Sequence, residues 1–260
     1  MRSFSPILFL SLLVLLGAGC SSSPARTSGT SSGTSVVATS RGACDHPYYP
    51  LRQGYRVDYR TSFNDAHGVP TSRTYSISVP ESTATTAKMV TTFPGEGGGT
   101  DVTANQSIEC GNGVLRTNSF VDIGSRVAGA SRFTTETRHV TGDLLPDHLS
   151  VGSAWQSSFD IAIHAESGSA ASAIGDMVVS VNMKKTVLAE ESVTVPAGTY
   201  QALKVKTETM MLAQGIAATD APPLVGTEWW VKGVGLVKSV IPVGAGFGDV
   251  VTEATHVNVP

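Results

Sequence analysis

The sequence predicts an all-β fold with few short helices, and three observations carry that expectation. Apolar and polar residues alternate with a period of two through most of the chain beyond residue 44. Turn-forming residues punctuate it at short intervals, with 27 Gly and 13 Pro in 260 residues. Few stretches combine Ala, Leu, Glu and Lys, from which long helices are built. At 41 % hydrophobic and 15 % charged residues, the chain has enough apolar material for a buried core. Its net charge of −3 leaves no basic surplus to neutralise a run of phosphates, which argues against a nucleic-acid partner.

Three regions follow one another. Residues 1–19 read as a signal peptide: Arg2 is the short positive region, Ile7 to Leu16 an apolar core interrupted by Ser11, and Gly17-Ala18-Gly19 the small residues before Cys20. The apolar run is ten residues, half of the roughly 20 needed to span a bilayer as a helix. Leu16-Gly17-Ala18-Gly19-Cys20 resembles a lipobox, in which the cysteine becomes the mature amino terminus and carries acyl chains. It departs from that pattern in having Gly17 where a large aliphatic residue usually stands. The bland alternative is an ordinary signal peptide followed by a chance cysteine. The lipobox reading implies a membrane partner reached through the lipid anchor. Ser21, where an inner-membrane lipoprotein more often has Asp, implies the outer membrane of the bacterial cell envelope. Residues 20–43 follow as a Ser/Thr/Gly tether with too little apolar surface to fold and a mean reach of about 25 Å. Residues 44–260 read as one β-rich domain.

Within that domain Tyr55, Val57, Tyr59 and Thr61 alternate with Arg56, Asp58 and Arg60, an antiparallel strand with one wet face. Tyr75, Ile77 and Val79 repeat the pattern up to Pro80. Ala87–Phe93 is the next strand, and the Gly-rich 95–99 a hairpin tip. Asn112-Gly113 suits a tight turn between Gln106–Cys110 and Val114–Leu115. Further strands are expected at 117–123, 131–141, 154–165, 176–188, 190–195, 200–211, 226–232, 235–241 and 249–257, leaving room for a short helix in 165–176 or 212–222. Pro196 fixes φ and Gly198 supplies a positive φ for a hairpin. Gly233-Val234-Gly235 breaks the strand after Trp229-Trp230 as a bulge or a corner. Pro50 to Gly54 and Pro146 to Gly152 each run from a Pro through a polar turn to a Gly and an aromatic strand, by chance or because two sheet halves are built alike.

Candidate chemistry is sparse. With Cys20 committed to lipid, Cys44 and Cys110 form the economical disulfide of an oxidising compartment; two separately buried thiols are the alternative. His46, His67, His139, His148, His164 and His256 show no metal-ligand spacing among themselves or with Cys and carboxylates, so no metal or other cofactor is expected. Gly29-Thr30-Ser31-Ser32-Gly33 matches a nucleophile-elbow pattern but lies in the tether without the required strand and helix. No catalytic residue emerges. Lys184-Lys185 and Glu190-Glu191 read as solvated charge pairs. Trp155, Trp229 and Trp230 are candidate core or pocket aromatics; adjacent strand residues face opposite ways, so one of the last two anchors the core.

A resemblance rests on Tyr48-Tyr49-Pro50-Leu51 with Gly54 and Tyr59, Leu145-Pro146 through Gly152 and Trp155, Val193 to Tyr200, and Glu228 to Lys238. Together these are similar to the marks of an uncharacterised family of bacterial envelope proteins, many of them lipoproteins. That family looks similar in shape to periplasmic lipoprotein carriers of the LolA/LolB kind. The resemblance implies a large antiparallel curved sheet or half-open barrel, an apolar ligand such as a lipid, or an envelope protein as partner. It carries over no catalytic residues.

Overall fold

The computed structural model describes residues 42–65, 67–95, 99–117, 122–126, 132–165, 177–213, 222–242 and 248–260. The signal peptide, Cys20 and the tether through residue 41 lie outside the described residues. So do the main parts of both candidate helical segments and residues 96–98 of the Gly-rich loop.

A small two-stranded sheet comes first, β1 (Asp45–His46) and β2 (Tyr49–Pro50). The rest is one antiparallel sheet: β3 (Arg56–Asn64), β4 (Pro70–Ser82), β5 (Thr86–Phe93), β6 (Val102–Gly111), β7 (Val114–Thr117), β8 (Asp122–Arg126), β9 (Arg132–Gly142), β10 (Ala154–Ala165), β11 (Met177–Val195), β12 (Gly198–Ala213), β13 (Leu224–Val231), β14 (Gly235–Pro242) and β15 (Asp249–Asn258). The order is β5-β4-β3-β15-β14-β13-β12-β11-β10-β9-β8-β6-β7. A further pairing of β5 with β6 carries the sheet round on itself, so twelve strands form a nearly closed barrel and β7 is a flap on β6. The thinnest seams flank β8, which meets β6 at Ala104↔Ile123 and Asn105↔Asp122 and β9 at three residue pairs.

Tight turns gather at one rim, here the base, at 83–85, 112–113, 196–197 and 232–234. Both ends of the domain also lie there, since Arg52 Nη1 donates to the carbonyl of Pro260 at 2.6 Å. Eight strands enclose about as much space as their own side chains fill; twelve enclose more. The segment before β3 supplies the missing filling at the base. Tyr49, Leu51 and Tyr55 are buried there, and Tyr49 sets its ring edge-on against Tyr55 at 5.9 Å and Trp230 at 5.7 Å. The Tyr55 and Tyr59 hydroxyls donate to the carbonyls of Val234 and Leu236 at 2.9 and 2.7 Å, and Gly233 N–H donates to the carbonyl of Pro47 at 2.7 Å. The expected disulfide joins Cys44 to Cys110, pinning this plug to β6.

Local expectations meet three kinds of outcome. Asn112 and Gly113 both adopt positive φ, 51° and 77°, as a two-residue hairpin of the primed type requires. The strands expected at 176–188 and 190–195 are one strand, β11, bent at a bulge between Val187 and Ala189. Of the strand expected at 117–123, Thr117 ends β7 and Asp122 opens β8, and residues 118–121 lie outside the described residues. Gly233-Val234-Gly235 is neither bulge nor corner but lies in the tight turn joining β13 to β14, with Val231 opposite Gly235. The bulge sits further on, where Trp229 faces Lys238 but Trp230 faces Leu236. The two Pro-to-Gly segments share a hydrogen-bond pattern. Gly54 and Gly152, at φ 88° and 90°, donate to the carbonyls of Val79 and Val187, whose N–H groups return to Tyr55 and Ser153, all at 2.9 Å.

A Cβ on Gly235 would stand 2.7 Å from the Tyr55 hydroxyl, at φ +112°, whereas one on Gly68, at φ +76°, meets nothing within 4 Å. Both substitutions carry backbone strain of about 1–2 kcal/mol. Gly235→Ala also displaces the plug, so it is expected to destabilise the barrel well beyond Gly68→Ala in chemical denaturation. A second test concerns His46, which is buried. Its Nε2 lies 2.8 Å from the carbonyl of Pro146, and its Nδ1 accepts from Tyr48 N–H, so the ring is the neutral tautomer protonated at Nε2. Burial pushes its pKa down, opposed in part by the Pro146 carbonyl and Asp147. The unfolded chain takes up this proton near pH 6.5 and the folded chain resists it. The contribution is therefore complete above about pH 6.5 and is lost as pH falls towards the lower folded value. Wild-type stability is expected to drop between about pH 7 and pH 5 more steeply than that of His46→Asn. Parallel slopes for the two would contradict this account.

Candidate functional site

Directly opposed residues of antiparallel strands share a face, so the pairing registers map the barrel interior. Lys185 on β11 faces Thr207 on β12, which faces Gly226 on β13. Glu228, two residues along the same face of β13, stands opposite Ser239, then Thr252, Thr61 and Arg73 on successive strands. A polar belt thus runs round the inner wall from β11 to β4.

Lys185, Thr207 and Thr252 are 9, 8 and 7 % exposed. Lys185 Nζ donates to both carboxylate oxygens of Glu228 at 2.9 and 2.8 Å. The Trp230 indole N–H donates to Glu228 Oε2 at 2.8 Å, and the ammonium lies 5.5 Å from the Trp230 ring centroid. On the far wall the Thr61 and Thr252 hydroxyls hydrogen-bond at 2.8 Å. Thr207 Oγ1 is buried with no hydrogen-bond partner among the described residues. Lys184-Lys185 is therefore not a solvated pair: Lys185 is internal because the alternation that sends Val181, Met183 and Val187 inwards includes it. Glu191 is engaged too, accepting from the Trp229 indole at 2.8 Å.

The belt divides two apolar zones. Below it Val187, Val205, Trp230, Val237 and Tyr59 belong to the large core that surrounds the plug. Above it Phe159, Ile161, Val179 and Val181 form a second cluster, flanked by Val140, Ile163, Met177, Met183, Met211 and Ala213. All ten residues come from β9–β12, one wall of the barrel. Met177, Met183, Met211 and Ile163 are only half-buried although they face inwards. The inner wall above the belt thus presents apolar surface that the described side chains do not fully cover.

The three tryptophans divide accordingly. Trp230 is the core anchor of its pair, 5 % exposed. Trp229 lies on the outer face, half-buried between Lys204 and Lys238, whose ammonium groups stand 5.7 and 5.8 Å from its ring. Trp155 faces Lys185 across β10 and β11 and donates its indole N–H to the carbonyl of Leu144 at 3.2 Å. Trp155 and Trp230 therefore border the belt, and Trp229 does not. Sequence reasoning places Lys185 in a solvated pair and gives no site role to Glu228 or Thr207, although a signal exists: Lys185 falls in phase with Met177, Val179, Val181 and Met183, and Glu228 in phase with Trp230.

The outer face carries one cluster with the ingredients of a hydrolase. At a bulge opposite Phe159, His139 adopts φ 52°, and its Nδ1 lies 2.8 Å from Asp160 Oδ2. The Ser180 hydroxyl donates to Asp160 Oδ1 at 2.7 Å. These bonds hold the Asp160 carboxyl below its usual range, Ser180 contributing most. The order is wrong for nucleophilic catalysis, in which the base must take the nucleophile's proton. Here the carboxylate sits between the two and the serine proton is committed to it. Two clefts also open outwards, of about 380 Å³ beside Ser158, Asn182, Lys184 and Glu208 and about 280 Å³ beside Glu109, Arg116 and His139. Among the described residues no three His, Cys, Asp or Glu are grouped to hold a metal, and no helix is long and apolar enough to cross a membrane.

Fold and interior together define a plugged antiparallel barrel with a polar belt beneath an apolar inner wall. The sequence profile of the DUF3108-like family matches residues 52–240, and the chain belongs to that family. Its fold is similar to that of a candidate lipoprotein from Parabacteroides distasonis, at 15 % identity and a TM-score of 0.53, covering 82 % of this chain and 99 % of that one. It is similar as well to a candidate exported protein with a YmcC-like fold from Bacteroides fragilis, at 12 % identity and a TM-score of 0.50, with the same coverage of 82 and 99 %. At such identities the likeness concerns the fold. No curated protein matches the sequence.

Removing one partner of a buried ion pair leaves an uncompensated charge, at a cost of about 3–5 kcal/mol. Glu228→Gln is expected to lose stability on that scale in urea titrations. Adding Lys185→Met should restore most of the loss, because the glutamine still accepts from Trp230. A single variant as stable as the wild type would show that the pair is solvated.

Proposed function

We propose that this chain is a bacterial envelope lipoprotein, anchored in the outer membrane through acylated Cys20, whose barrel binds an apolar ligand without catalysis. One observation carries the reading: the inner wall of β9–β12 above the belt is apolar yet half-exposed, on Met177, Met183, Met211 and Ile163. A barrel of this circumference holds more space than its own side chains fill. The plug occupies the base, and the upper wall keeps an apolar surface that a hydrocarbon chain would cover. Binding sites of this kind are mostly apolar with a few polar groups that orient the ligand.

The anchoring supports the reading. The tether would enter the body next to residue 42, at the plugged base, so the anchor attaches at the end opposite the apolar wall and leaves that wall unobstructed. The disulfide suits an oxidising compartment. A second reading, a scaffold that docks a protein partner, is favoured by a separate feature. Met210, Leu212 and Val225 are 40, 38 and 41 % exposed on the outer face of β12 and β13.

Native mass spectrometry separates the two. The mature chain, with Cys20→Ser to release it from the membrane, would be purified gently from its own envelope. A co-purifying lipid mass, lost when Val181 and Ile161 are both replaced by Asp, is expected for a ligand-binding barrel. A lipid-free chain that instead retains a protein, and loses it in Met210→Asp, would establish the scaffold.

A further inference from the structure

We infer that the ligand of the barrel is a long-chain acyl ester without net charge, its carbonyl oxygen held by Lys185 and Thr207 and its hydrocarbon running up the β10–β12 wall. The inference rests on the reading of the barrel as an apolar binder and assigns the polar end of that ligand.

The hydrogen-bond capacity of the belt is not fully used. An ammonium has three N–H donors and accepts nothing. Two of those on Lys185 go to Glu228, which leaves one over. Thr207 Oγ1, on a residue 8 % exposed, has no partner among the described residues. Lys185 and Thr207 are directly opposed across β11 and β12, so their Cβ atoms stand about 5 Å apart and one acceptor atom can serve both. Immediately above on the same two strands lie Met183 opposite Thr209 and Val181 opposite Met211. The spare donors therefore form the floor of the apolar wall.

Charge then selects among acceptors. Glu228 already neutralises Lys185, and its Oε2 is further engaged by the Trp230 indole. A carboxylate or phosphate placed here would add an uncompensated negative charge at a site nine-tenths buried, which is strongly unfavourable. A pure hydrocarbon would leave the hydroxyl and the ammonium proton buried and unsatisfied. An uncharged carbonyl at the end of an acyl chain meets both conditions.

The test uses the full mature chain carrying Cys20→Ser, with 1-monolauroylglycerol and laurate as probes in isothermal titration calorimetry, each below its micelle concentration. The ester is expected to bind at least about tenfold tighter than ionised laurate. Thr207→Val, which keeps the side-chain shape, should weaken the ester about fivefold, the scale of one hydrogen bond, and leave laurate within about twofold; Thr207→Ser should restore the ester. If laurate binds as tightly as the ester, or Thr207→Val has no effect on it, this inference fails while the apolar barrel stands. If neither probe binds, the apolar-ligand reading itself fails.

Discussion

The structure depends on a geometric mismatch between the circumference of the barrel and the volume of its own side chains. A ring of twelve strands encloses more than its walls alone can fill, and in this chain a segment from outside the ring fills one end of it. Residues 44–55 do so at the base, where Tyr49 and Tyr55 meet Trp230 edge-on. Their fixation is redundant. The Cys44–Cys110 bridge, the Tyr55 hydroxyl on Val234 in the β13–β14 turn and the buried His46 on Pro146 each hold the plug to a different part of the wall. Glycine at 235 is required because the Tyr55 hydroxyl occupies the space where a Cβ would stand.

The plug fills one end, and that asymmetry organises the rest of the interior. Below the belt the core draws on many strands and is densely aromatic. Above it, the apolar cluster belongs to four consecutive strands. A buried ion pair between the two zones is costly in isolation and adds little net stability. Its value here lies in polarity at a defined depth: Lys185, Glu228 and Thr207 set a level in the barrel at which an otherwise apolar guest meets hydrogen-bond donors.

The exterior follows a different economy. Trp229 lies between two lysines and donates to Glu191, and Lys238 continues to Glu253 at 2.9 Å and Glu253 to Arg60 at 3.7 Å. Such half-exposed pairs contribute little individually. They cover a tryptophan that alternation forces outwards, which limits the apolar surface at that place. The Ser180–Asp160–His139 line is likewise a satisfied surface network, with its hydroxyl proton held by the carboxylate.

The strands and the tight turns are legible in the amino-acid order alone, because alternation, Gly and Pro act over a few residues. Tyr55 to Thr61, Met177 to Met183 and Asn112-Gly113 show it. The Cys44–Cys110 pair and the division of labour between Trp229 and Trp230 were legible for the same reason: compartment chemistry and strand parity need no tertiary information. The meeting of β5 with β6 was decided only in three dimensions, as were the entry of residues 44–55 into the base and the level at which Lys185, Thr207 and Glu228 come together. Each depends on registers summed over many strands, so that residues over 40 positions apart share one inner face. A one-residue slip anywhere along that path would send Lys185 or Glu228 to the solvent side. Local pattern places a side chain on a face; only the closed ring decides which face is the interior.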